Sequence, residues 1–205
     1  MIILLGTSHI APESIRRIKN VIENENPDCV AVELDPVRYY TLKSKNFSRP
    51  PGIFLRFLAW LQRELGKMTG VFPGEEMLKA IEISNENRIP TFLIDQDFSI
   101  TARDIKKVSF SEKFKLVVFT LFAGLHGEKI DLKKVPPKRV VAKAIKLLRK
   151  KFPYIYKVLV VKRNRHMANV IKNLSKDYKK ILVVVGAGHV SGLKNLLKGE
   201  KVKIL

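Results

Sequence analysis

The sequence predicts an α/β protein: a mainly parallel β-sheet flanked by helices, with an all-helical stretch inserted in the middle. Three observations predict it. Short, wholly apolar runs at Ile2 to Leu5, Cys29 to Val32, Thr91 to Ile94 and Ile181 to Val185 have the length and composition of strands buried on both faces. Segments with helical spacing separate the runs, and strand–helix alternation favours a parallel sheet covered by helices. From Ile105 to Tyr178 the alternation stops and only helical patterns follow one another.

After the first run, Ile15, Ile18, Val21 and Ile22 repeat at helical spacing, and Pro12 stands where a proline starts a helix. Pro36 opens a second helix after the second run. An amphipathic segment from Phe54 to Leu65 holds the single tryptophan, Trp60. Gly74-Glu75 precedes a helix marked by Met77, Leu78, Ile81 and Ile83. In the middle, Phe114 to Phe122, Arg139 to Leu148 and Tyr154 to Leu174 read as helices, with Lys150-Lys151-Phe152-Pro153 dividing the last two. Leu193, Leu196 and Leu197 follow the last strand, and the chain closes on the short run Val202 to Leu205. The length, 205 residues, supports one well-buried core. The expectation is a single domain over 1–205, with the helical insertion at roughly 105–178.

Hydrophobic residues make up 46% and charged residues 28%, which fits a globular chain and not a disordered one. One cysteine, Cys29, excludes an internal disulfide and points to a reducing compartment. Its apolar neighbours make it a buried, inert thiol. No basic residue precedes the apolar start, so no signal peptide is read. The longest apolar stretch, Leu116 to Leu125, falls short of the about 20 residues a spanning helix needs. The expected location is cytoplasmic, with peripheral membrane contact or self-association through the apolar helices as further options. The net charge is +20, and no acidic residue lies between Asp131 and Asp177. The basic residues within 133–176 are either an attractor for an anionic membrane or nucleic acid, or the lysine-rich surface of a heat-adapted protein.

Ligands of open parallel sheets bind beyond the strand carboxyl ends. Four polar clusters fall there: Gly6-Thr7-Ser8-His9, Glu33-Leu34-Asp35 with Arg38, Asp95-Gln96-Asp97 with Thr101 and Arg103, and Gly186-Ala187-Gly188-His189. Gly6, Gly186 and Gly188 would let the backbone turn tightly against a ligand. Each histidine alone could be a loop hydrogen-bonder. Two Gly-x-x-His loops and two carboxylate clusters on one edge make a stronger case, because two imidazoles and a carboxylate are common ligands of hydrolytic metal sites. A dinucleotide loop is disfavoured: the glycine after Gly188 comes at Gly192, one place late, and no acidic residue can follow at the required distance, so no nucleotide is expected. His126 and His166 read as structural or exposed.

These blocks together resemble the TraB family. Gly6-Thr7-Ser8-His9 with Pro12-Glu13-Ser14, Pro27 to Asp35 with Arg38, Gly74-Glu75-Glu76-Met77 with Ala80, Leu93 to Asp97 with Thr101 and Arg103, Arg163-Asn164 with Met167-Ala168, and Val185 to His189 with Gly192 come in the family order and cover nearly the whole chain. The resemblance implies the wider TraB, GumN and Tiki group and an EreA/ChaN-like fold. Its Tiki members imply a metal-dependent peptidase using both Gly-x-x-His motifs. That maps a divalent ion (Mn, Co or Zn) onto His9, His189 and Glu33, with Glu76 as general base and Arg163 and Asn164 as polar site residues. The erythromycin esterase branch implies instead a histidine that activates water without metal. TraB itself implies a link to the shutdown of a peptide pheromone. Lys162 departs from the family by standing where an acid usually precedes Arg-Asn, and Gln96 replaces a common arginine. Many prokaryotic members carry a hydrophobic C-terminal span that this sequence does not reach, so the expectation is a minimal cytosolic form. The leading functional expectation is hydrolysis of a peptide or amide, or of a small-molecule substrate. The alternative is a non-enzymatic peptide-binding or regulatory protein.

Overall fold

The computed structural model describes residues 1–8, 12–44, 52–57, 59–60, 74–126 and 135–205, with Pro12 and residues 120–126 described by backbone alone. His9 and the second half of the expected Phe54 to Leu65 segment fall outside the described residues. Five strands, β1 (Ile2–Thr7), β2 (Cys29–Val32), β3 (Thr91–Leu93), β4 (Ile181–Gly186) and β5 (Val202–Ile204), form one parallel sheet in the order β3-β2-β4-β1-β5. Ile181 pairs with both Ile2 and Cys29, so β4 is the central strand and brings the ends of β1 and β2 to either side of its own.

Successive side chains in a strand point to opposite faces, and here both faces are apolar. Ile3, Leu5, Val30, Val32, Leu182 and Val184 meet Ile18 and Ile22 of α1 (Pro12–Glu25) and Met77, Ala80 and Ile81 of α3 (Glu75–Glu86). Ile2, Leu4, Cys29, Ala31, Ile181, Val183 and Val185 meet Met167, Ala168 and Ile171 of α8 (Arg163–Asp177) and Leu193 of α9 (Ala187–Leu196). The expected burial on both faces holds for β1, β2 and β4, while β3 and β5 are half-buried because they are the sheet edges. Burial, with the nearby Asp28 charge, pushes the Cys29 thiol up to about 12.

Short α2 (Pro36–Ser44) follows β2. The helical middle comprises α4 (Phe98–Lys107), α5 (Phe110–His126), α6 (Lys138–Lys151) and α7 (Pro153–Tyr156), and then α8. A third apolar cluster, with Leu55, Ala102, Ile105, Phe152, Ile155 and Val158, is built from the helices and the residues that join them, with no strand residue among its buried members. The buried Glu112 of α5 accepts a hydrogen bond from the Ile155 backbone N–H at 2.9 Å and ties α5 to α7. The expected continuous helix from Tyr154 to Leu174 is interrupted by a π-helical turn at Lys157–Lys162, so Arg163 and Asn164 open a new α-helix directly after a widened turn. Among the described residues, no helix is long and apolar enough to cross a membrane.

Candidate active site

The sheet order explains which polar residues meet. β2 lies between β3 and β4, so Glu33 after β2, Asp95 after β3 and Gly186 at the end of β4 stand side by side at the carboxyl edge. The Thr7 register partner is Gly186, which brings the β1 end to the same edge. Glu33 is fully buried, and its Oε2 accepts the Gly186 N–H at 2.7 Å. Its Oε1 accepts from Arg163 Nη2 and lies 3.3 Å from His189 Nε2.

Arg163 is the hub. Its Nε donates to Asp95 Oδ1 at 2.9 Å and its Nη2 to Asp95 Oδ2 at 2.7 Å, the paired geometry that planar guanidinium and carboxylate groups favour. Its Nη1 donates to the Leu159 carbonyl at 3.3 Å and faces His189 Nε2 at 3.4 Å. With the bond to Glu33, all five guanidinium N–H donors face an acceptor. The widened turn matters locally, since it carries the Leu159 carbonyl that receives Nη1. Burial works against the Arg163 charge, but Glu33 and Asp95 outweigh it and hold the group firmly protonated, above its ordinary range.

His189 is oriented from its other nitrogen. Asn164 Oδ1 accepts from Nδ1 at 2.5 Å, which puts the neutral ring's proton on Nδ1 and leaves the Nε2 lone pair toward Glu33 and Arg163. Asn164 itself is positioned by a glycine: a Cβ at Gly192 would lie 2.1 Å from Asn164 Nδ2, so only glycine leaves room for the amide between α8 and α9. The other loop glycines serve packing. A Cβ at Gly6 would meet Val190 Cγ2 at 3.0 Å, and one at Gly188 would meet Ile145 Cδ1 of α6 at 3.3 Å.

Two residues beyond the expected set complete the cluster. Asp95 is buried and binds both arginines, since Arg38 Nη1 also donates to its Oδ2 at 3.0 Å. Asp35 caps the start of α2, its Oδ1 accepting the Val37 and Arg38 N–H groups at 3.1 Å each. Burial raises the Asp35 carboxyl above its usual range, against the lowering effect of Arg38. Arg38, 34% exposed at its side chain, marks the solvent side of the cluster. Glu76 lies fully buried in the first turn of α3, the end of that helix nearest the same edge. Lys162 stays out of this network: its Nζ pairs with Asp104 Oδ2 at 2.6 Å and draws that carboxyl below its usual range. His166 is exposed, and the His126 side chain lies outside the described residues.

Could these residues hold a divalent ion? Among the described residues no three His, Cys, Asp or Glu side chains converge on one point. His189 Nε2 and Glu33 Oε1 are close enough to share an ion, yet both already face donors of Arg163. In this geometry an ion between them would have to displace the Arg163 guanidinium, and His9, the third expected ligand, lies outside the described residues.

In open parallel α/β sheets ligands bind beyond the carboxyl ends of the strands, and the buried His–Glu–Arg–Asp cluster lies at that edge. The chain is a member of the TraB/PrgY/gumN family, which it matches over residues 1–203. It is 36% identical over 213 residues to a protein of Methanocaldococcus jannaschii described only as uncharacterized, a match covering 96% of this chain and 53% of that one. It is 22% identical to the TraB domain-containing proteins of Mus musculus and Bos taurus, over 93% of this chain and 61% of each of theirs. The chain thus spans between half and two thirds of the length of these relatives.

Proposed function

We propose that this protein hydrolyses a peptide or amide bond with a water molecule activated by His189. The observation that carries the reading is the His189 ring, fixed at Nδ1 by Asn164 and turned so that Nε2 lies 3.3 Å from Glu33 Oε1. An imidazole whose Nδ1 is held by a hydrogen-bond acceptor presents Nε2 as the nitrogen that can take a proton.

In this mechanism Nε2 removes a proton from water as the water oxygen bonds to the carbonyl carbon, and the carbonyl π pair moves onto oxygen. The new Nε2–H then donates to Glu33 Oε1, which steadies the imidazolium. Arg163 Nη1 loses its acceptor at the same moment, because Nε2 has become a donor. That N–H is then available to the developing alkoxide without the guanidinium moving, where a preorganised cation stabilises the transition state. Collapse re-forms the C=O bond and breaks the C–N bond, and the Nε2 proton passes to the departing amine. Asp95 and Arg38 act as positioning residues that keep the guanidinium in plane. No step passes through a metal ion.

The test is mass-spectrometric analysis of a panel of unstructured peptides incubated with the purified chain in EDTA. Wild type should cleave, while His189→Ala and Glu33→Gln should slow cleavage by about 100-fold or more. Peptides bound by wild type and recovered intact would overturn the enzymatic reading. Cleavage lost in EDTA and restored by Zn, Mn or Co would replace the mechanism with one in which an ion displaces Arg163.

A further inference from the structure

We propose that this protein docks on an anionic lipid surface through helix α6 and the exposed aromatic face of α5. α6 presents seven cations, Lys138, Arg139, Lys143, Lys146, Arg149, Lys150 and Lys151, and no acidic residue. None of its residues is fully buried, so the whole helix rides on the surface while its apolar positions, such as Val141 and Leu147, lie half-exposed. A helix with one basic face and one apolar face is the form that lies in a membrane interface.

The apolar half of the surface comes from α5. Phe110, Phe114 and Val118 recur at every fourth position and so form one stripe along the helix. Phe110 is 81% exposed and Phe114 57%, and the two rings stack with centroids 6.1 Å apart. Leaving two stacked phenylalanines in water is unfavourable, a penalty that insertion into acyl chains removes. Phe114, Lys115, Val118 and Phe119 line a shallow groove beside them.

The two halves adjoin. Lys151, at the end of α6, sets its Nζ 5.0 Å above the Phe119 ring, and Phe119 also packs on Phe152 at 5.8 Å. Tyr154, 64% exposed, follows in the first turn of α7. Cations, phenylalanines and a tyrosine thus share one region, in the proportions that suit lipid headgroups above acyl chains. The charge complementarity selects the occupant: anionic headgroups match the Arg149, Lys150 and Lys151 cluster, and the phenylalanines reach below it. Ile145, on the opposite, inward face of the same helix, packs over Gly188, one residue from His189, so α6 lies between the docking surface and the candidate active site.

The experiment is vesicle flotation of the intact chain. Phosphatidylcholine–phosphatidylglycerol vesicles should carry it, pure phosphatidylcholine vesicles should not, and added salt should weaken the binding. Lys150→Glu/Lys151→Glu and, separately, Phe110→Ser/Phe114→Ser should each reduce flotation by about tenfold or more. Because all four side chains are exposed, circular dichroism of the variants should match wild type. Unchanged flotation of the phenylalanine variant overturns the proposal, as does equal binding to neutral vesicles. So does preferential capture by a single-stranded oligonucleotide, or a dimer that forms through the phenylalanines while the vesicles float alone.

Discussion

Replacing Gly192 by alanine should disable the orientation of His189 without touching that residue. The added Cβ would lie 2.1 Å from Asn164 Nδ2, roughly 1.4 Å inside the ordinary contact distance of about 3.5 Å. Both neighbours are helical and Asn164 is buried, so the amide has to swing away from His189 Nδ1. Overpacking costs about 1–3 kcal/mol, and the buried imidazole N–H left unbonded adds about 1–3 kcal/mol. The expected loss is therefore about 2–6 kcal/mol, or a melting temperature lower by roughly 4–24 °C for a chain of this size. The decisive comparison is a double-mutant cycle. In Asn164→Ala the nearest remaining atom to the new methyl is the residue-164 Cβ at 3.9 Å, an ordinary contact. Gly192→Ala should then be neutral or mildly stabilising, because alanine is the better helix former. Equilibrium urea unfolding of the four proteins should give a coupling energy of about 2 kcal/mol or more. Additivity within about 0.5 kcal/mol would refute the packing argument.

Further predictions concern buried charge and the thiol. Arg163→Met leaves Glu33 and Asp95 facing an apolar side chain and should destabilise the fold by about 3–5 kcal/mol at pH 7. Asp95 keeps its ion pair with Arg38, so the buried Glu33 is the carboxyl that should titrate higher in the folded variant than in its unfolded chain. Its neutral form is tolerated below the unfolded value, and stability is lost as pH rises, so the deficit should shrink in urea titrations at pH 4.5; a deficit independent of pH would contradict the assigned pairing. Cys29 should resist iodoacetamide at pH 8 unless the chain unfolds, with labelling followed by mass. Its thiol titrates near 9.0 when free and at about 12 when folded. Wild type should therefore lose stability relative to Cys29→Ala as pH rises from 9 toward 12, and parallel alkaline profiles would show that the thiol is not sequestered.

The central strands are legible because β1, β2 and β4 are continuously apolar up to their ends at Gly6-Thr7, Val32 and Gly186, in runs of strand length that suit burial on both faces. The edge strands carry less signal, since β3 and β5 have three residues each and are only half-buried. The residues that meet around Glu33 were also legible as strand-end polar groups, but their pairing was not. Sequence position places Asp95 and Arg163 68 residues apart, and only the sheet order sets β2 between β3 and β4. Asp95 and Arg38 therefore stood among the strand-end and motif residues without a role, although they hold the guanidinium in place. The Gly-x-x-His spacing suggests room for a ligand but not the close neighbours: Val190 and Ile145 stand where side chains on Gly6 and Gly188 would reach. The widened turn at Lys157–Lys162 had no visible mark, because Val158, Leu159, Val160 and Val161 suit an α-helix as well.

That turn has a consequence for how this chain can vary. A π turn accommodates about one residue more than an α turn, and each residue of an α-helix rotates the chain by roughly 100°. Deleting Leu159 would let the segment relax into an unbroken α-helix with every polar residue still present. Because the turn already absorbs that extra residue, α7 and Arg163 would keep their relative phase, and only the carbonyl offered to Arg163 Nη1 would change. A deletion within Pro153–Tyr156, by contrast, would turn the preceding chain by roughly 100° relative to Arg163, so the widened turn is the place where this segment can lose a residue without moving the cationic hub away from its acidic partners.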